Sequence, residues 1–140
     1  MRKAALALLA LLVLAAACPV AAYTVKSGHP RIFFSAADVP ELQAKCAGEL
    51  ASDFNTMRNW ADDHINDSPA VDLDSILPMY AFLWQMTGDS AYADRAKEIV
   101  QYFIGSGNTE SDAFARCASL FFDWCYGYLR QSGRQSIGSA

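Results

Sequence analysis

A chain of 140 residues that is 53% hydrophobic and 12% aromatic, with a formal net charge of −4, is too apolar for a disordered segment and too short for more than one small domain. Much of the apolar excess lies in the first 22 residues; without them the apolar share falls to about 47%, ordinary for a globular chain, which excludes a polytopic membrane protein. The remainder carries nine basic and fifteen acidic residues, a charge of −6 with no run of Lys or Arg, which excludes a nucleic-acid binder because displacing counterions from phosphates needs a basic patch.

Arg2 and Lys3 precede an unbroken apolar run from Ala4 to Ala17, followed by Cys18-Pro19-Val20-Ala21-Ala22. A basic start, a 14-residue apolar core and small residues at its end predict a secretory signal peptide over 1–22, cleaved before Tyr23. The run is shorter than the ~20 residues that span a bilayer, so no membrane span is expected after cleavage. The rival is lipidation at Cys18, although the large aliphatic residue usual three places earlier is missing. Either route places the protein outside the cytoplasm, secreted or periplasmic.

Residues 23–34 read as a leader containing Gly28 and Pro30. Ser35-Ala36-Ala37-Asp38 is a capping-box-like start, and Pro40 suits an early helical position, which predicts a first helix running to about Lys45. A second is expected from about Leu50 to His64, with Leu50, Phe54, Met57, Ala61 and Ile65 on one face. The third, about Asp74 to Thr87, is apolar on all sides from Ile76 to Trp84, and Gly88 fits its C-terminal cap. A fourth begins at Ser90, turns Tyr92, Ala96, Ile99, Val100 and Phe103 inward, and ends near Gly105. The fifth, about Asp112 to Gln131, is again apolar on nearly every side. Gln131 to Ile137 then reads as a turn leading into another helix. The class is all-α.

Helices apolar around their full circumference need neighbours on every side, and three shorter amphipathic helices cover only part of that surface. Residues 35–140 are therefore expected to be the N-terminal portion of a larger helical domain, truncated; the competing explanation is an obligate helical oligomer. Cys46, Cys117 and Cys125 remain after signal cleavage. Cys117 and Cys125 lie about 12 Å apart along a continuous helix, too far for a disulfide. Cys46 is left to bridge either one, to pair outside this segment, or to stay a buried thiol like the others.

The residues define no self-contained active site. Asp62-Asp63-His64 point in different directions, unlike a helical zinc pair. Asp72-Leu73-Asp74 lacks the remaining calcium ligands and reads as capping. No metal site and no cofactor are expected. No nucleophile elbow or Cys–His pairing is present. Asp123, inside the apolar stretch Phe121–Tyr128, needs a partner if buried, and a structural hydrogen bond is a plainer reading of it than catalysis. Trp60, Trp84, Trp124, Tyr80, Tyr126 and Tyr128 are either core or sugar-stacking residues.

The run His29-Pro30-Arg31-Ile32-Phe33-Phe34-Ser35-Ala36-Ala37-Asp38-Val39-Pro40-Glu41-Leu42 resembles the opening of the catalytic domain in secreted polysaccharide lyases of the heparinase II/III-like and oligoalginate lyase families. Tyr80 to Ala93, with Thr87-Gly88-Asp89 at its centre, is similar to their helical hairpin, a motif shared by many helical toroids. Phe122-Asp123-Trp124-Cys125-Tyr126 is similar to their inner helix. The resemblance implies the first helical hairpins of an (α/α) toroid, in a longer parent that cleaves uronic-acid-containing glycans by β-elimination. It also implies an anionic polysaccharide or oligosaccharide as the parent's partner. The family's catalytic Tyr and His come later in the chain, so no catalytic residue is carried over and the segment itself is expected to be inactive. Asp123 and Trp124, as markers of the toroid core near the cleft floor, and Trp84 are the candidate substrate-binding residues. The alternatives are a non-catalytic exported helical glycan-binding or scaffold protein, and an (α/α)-toroid hydrolase or epimerase using paired carboxylates.

Overall fold

The computed structural model describes residues 28–138, with side chains to residue 132. The expected signal peptide, its cleavage site and Cys18 lie outside the described residues. Within them the chain forms six helices and no strand: α1 (Val39–Ala47), α2 (Ala51–Asp63), α3 (Leu73–Thr87), α4 (Ser90–Gly105), α5 (Asp112–Trp124) and α6 (Tyr126–Gly138). The all-α class therefore stands.

Three of the six helix starts follow from one short polar side chain each. Asp72 accepts from the Asp74 N–H, Asp89 from the Ala91 N–H and Ser111 from the Phe114 N–H, satisfying donors that have no partner within the helix. The Ser35–Asp38 pair forms as expected, Asp38 accepting from both the N–H and the hydroxyl of Ser35 at 2.7 Å. It closes a turn ahead of the helix, however, so α1 begins only at Val39, with Pro40 in its first positions. Gly88 takes the left-handed conformation (φ 72°) that ends α3, leaving only Gly88 and Asp89 between α3 and α4 in a tight αα-hairpin.

α3 is the central rod. It packs against α4, α5 and α1, and no residue from Ile76 to Met86 is exposed. The expectation that its apolar circumference outruns the partners in this segment is thus corrected for α3: Leu77, Tyr80, Ala81 and Leu83 are fully buried among Ala61, Ala93, Ala96, Ile99, Phe121 and Cys125. α5 fits the expectation better, because Phe122 and, just beyond it, Tyr126 stay exposed.

Two further differences concern the C-terminal helix. The rod expected from Asp112 to Gln131 is two helices broken at Cys125. The physical cause is a side chain on α3: the Gln85 amide donates to the Trp124 carbonyl, which a continuous helix would offer to the Tyr128 N–H. Insertion of a side chain into the ladder is a recognised source of helix breaks. Gln131 to Ile137, expected to be a turn, is helical throughout as part of α6; one interior glycine, Gly133, costs only about 1 kcal/mol against alanine. Cys46, Cys117 and Cys125 are buried free thiols.

Candidate functional site

The leader is the key to the site. Residues 28–34, expected as a polar lead-in, lie across α5 and are fastened to it by Asp123. This carboxylate is 4% exposed and accepts from the Arg31 N–H (2.7 Å) and the Ile32 N–H (2.8 Å) through Oδ2. Its Oδ1 receives His29 Nδ1 at 2.6 Å, with Arg31 Nε 3.8 Å away. Burial pushes the carboxyl pKa up, but the bonds from the Arg31 and Ile32 amides and from His29 outweigh it and hold the group below the usual carboxylate range. An ionised carboxylate only accepts, so the proton of the contact sits on His29 Nδ1. The His29 ring stacks on Tyr126, centroids 4.0 Å apart.

Trp124 completes the fastening. Its indole N–H donates to the Ile32 carbonyl at 3.1 Å, and its ring meets Phe34 at 5.1 Å and Phe82 at 6.3 Å. At 7% exposure it is a core residue with its one donor engaged. Trp84 is half-buried and lies edge-on to Tyr128 at 5.8 Å. The three residues singled out from the sequence do come together: Trp84, Trp124 and Asp123 line one cavity of about 260 Å³ beside Gln85 and Gly127. Neither carboxylate oxygen of Asp123 is free, and the Trp124 donor is engaged, so both hold the wall in place.

On the other side of Asp123 lies a larger, open groove of about 800 Å³. His29, Arg31, Ser119, Asp123 and Arg130 supply its polar side chains, and Phe122, Tyr126 and Leu129 its apolar floor. Arg130 stands 5.7 Å from the Tyr126 ring centre, a cation–π arrangement. On a chain of net negative charge, Arg31, with the Asp123 carboxylate 3.8 Å from its Nε, and Arg130 bring two guanidinium groups onto aromatic ground. Guanidinium groups present paired donors that match a carboxylate.

His29, Arg31 and Arg130 were not candidates on sequence grounds, because no Lys/Arg cluster is visible along the chain; residues 31 and 130 meet only through the fold. Tyr126 had been marked as core or stacking without a choice, and it is 39% exposed. Among the described residues no group of three or more His, Cys, Asp or Glu side chains is placed to hold a metal ion, and no helix is long and apolar enough to cross a membrane. Compared with protein-family models, curated proteins and solved structures, the chain matches none.

Proposed function

We propose that this chain is the opening part of the (α/α)-toroid domain of an exported polysaccharide lyase acting on uronic-acid-containing glycans, and that it supplies one wall of the glycan cleft and no catalytic group. The observation that carries the reading is the groove of His29, Arg31 and Arg130 over Tyr126 and Phe122 on a chain with an acidic balance. A uronate polymer presents a carboxylate on each acidic ring and a C–H face between them, so it asks for guanidinium donors beside aromatic rings. Holding the carboxylates of rings along the cleft is work this groove fits. Support also comes from the motifs: of the three stretches that resemble the lyase families, His29–Leu42 and Phe122–Tyr126 grip each other here, through His29, Ile32 and Trp124.

Titration of the chain with oligogalacturonate and with a neutral glucan oligomer of equal length tests this. The expected result is binding of the uronate alone, weakened by salt and by Arg31→Ala or Arg130→Ala, with no unsaturated uronate released into the ultraviolet. Equal binding of the neutral oligomer, or none of either, would overturn it.

A further inference from the structure

Phe33 adopts φ +66°, the left-handed region that is strained for a bulky side chain. Across it the Phe34 N–H donates to the Ile32 carbonyl at 2.9 Å, closing a three-residue turn of the rare, strained kind with positive φ at its centre. The surroundings enforce this. The residues before Phe33 are tied to Asp123 and Trp124, and Phe34 after it packs on the Trp124 ring. The ring itself gains little: it is 86% exposed and meets Trp124 only edge-on at 6.4 Å. A glycine would adopt this backbone without steric penalty, so folding alone does not call for a phenyl group here.

The ring borders a second depression, of about 440 Å³, with Pro78, Leu120 and the Arg116–Asp74 ion pair (3.0 Å). That depression shares Ile32 and Ser119 with the cationic groove, so the two form one trough along α5 and into α6. From residue 116 to the end of α5 at Trp124 the helical rise amounts to about 12 Å, room for more than one sugar ring. Arg31 and Phe33, two residues apart on the leader, face the two adjacent depressions, with Ile32 between them lining both.

We propose that Phe33 is a sugar-stacking, specificity-determining residue: the apolar face of a pyranose ring lies on its phenyl group while carboxylates of the same chain reach Arg31 and Arg130. This rests on the glycan reading above and adds a subsite to it. The test is calorimetric titration of the full chain and of Phe33→Gly, Phe33→Trp and Arg31→Ala with oligogalacturonate, alongside thermal melting. Expected for Phe33→Gly is a Tm equal to or above that of the parent chain, from relief of strain, together with at least ten-fold weaker binding; Phe33→Trp keeps the affinity. A lowered Tm makes the ring structural and overturns the proposal, as does unchanged affinity in Phe33→Gly. If Arg31→Ala loses binding while Phe33→Gly does not, the groove survives and the Phe33 subsite falls. If the parent chain binds no oligouronate, both fall.

Discussion

Trp124 donates its indole N–H to the carbonyl of Ile32, 92 positions away in the chain, and the Ile32 N–H donates in turn to Asp123, the residue before Trp124. Both peptide groups of one leader residue are thus taken by two consecutive side chains of α5. Backbone polar groups buried away from water need such partners, and here a helix with no strand to offer supplies them from its side chains. The consequence is that the wall of the groove, built from a segment with no secondary structure, is fastened to α5 through side chains.

Removing that hold is expected to be expensive. Asp123→Ala leaves two amides and the His29 ring without their shared acceptor, and loss of a buried charged acceptor costs about 3 kcal/mol. Urea unfolding is expected to show that drop, and limited proteolysis to cut first between residues 28 and 34. Asp123→Asn, which keeps the shape and one acceptor oxygen, is expected to lose less. A variant as stable as the parent chain would mean that the leader does not depend on this carboxylate.

The same carboxylate predicts a pH dependence with a definite sign. Its folded pKa is depressed below the ordinary carboxylate range, so the folded state binds the proton more weakly than the unfolded state does. The stability from this source is therefore fully present above the unfolded value and is lost as pH falls through the folded one, below about pH 4. Melting curves from pH 6 down to pH 2 are expected to fall more steeply for the parent chain than for Asp123→Asn. Parallel curves would assign the acid sensitivity to other carboxylates.

Arg95 on α4 is 3% exposed and binds the carbonyls of Asp67 (2.8 Å) and Ser68 (3.1 Å), as well as Glu98 at 2.7 Å. It fastens the loop between α2 and α3 to the helical layer. Arg95→Met keeps the apolar stem and removes the donors, so about 2 kcal/mol of stability is expected to go, with hydrogen exchange rising first in residues 64–72. Arg95→Lys reaches one carbonyl at most and is expected to fall between the two. Unchanged exchange in that loop would refute the role.

How far the sequence foretold these features depends on whether the cause is local. Helix positions were legible because capping residues and the glycine at 88 act within a few residues of themselves. The division at Cys125 was not, since Gln85 reaches across from another helix. Asp123 was marked as a buried acid needing a partner, yet nothing along the chain names His29 and the Arg31 and Ile32 amides as that partner. Arg95 offered a signal that went unused: it lies three residues after Tyr92 and four before Ile99, on the inward face of α4. The cationic groove had no linear signature at all, being assembled from residues 29, 31 and 130.

The three described cysteines lead to a last prediction. Cys125 is fully buried at the α5–α6 junction, and burial pushes its thiol pKa up to about 12. Burial raises Cys46 and Cys117 as well, Cys117 also through the carboxylate of Asp74. Since the thiolate is the reactive form, none of the three is expected to react freely in the folded protein at pH 8. Cys46, at 9% exposure on the peripheral α1, is expected to be alkylated first, through local opening, and Cys125 last, at the rate of global unfolding. Time-resolved iodoacetamide labelling read by mass spectrometry orders them. Were Cys125 modified as fast as in urea, the junction would be open in solution and the Gln85–Trp124 contact would not close it.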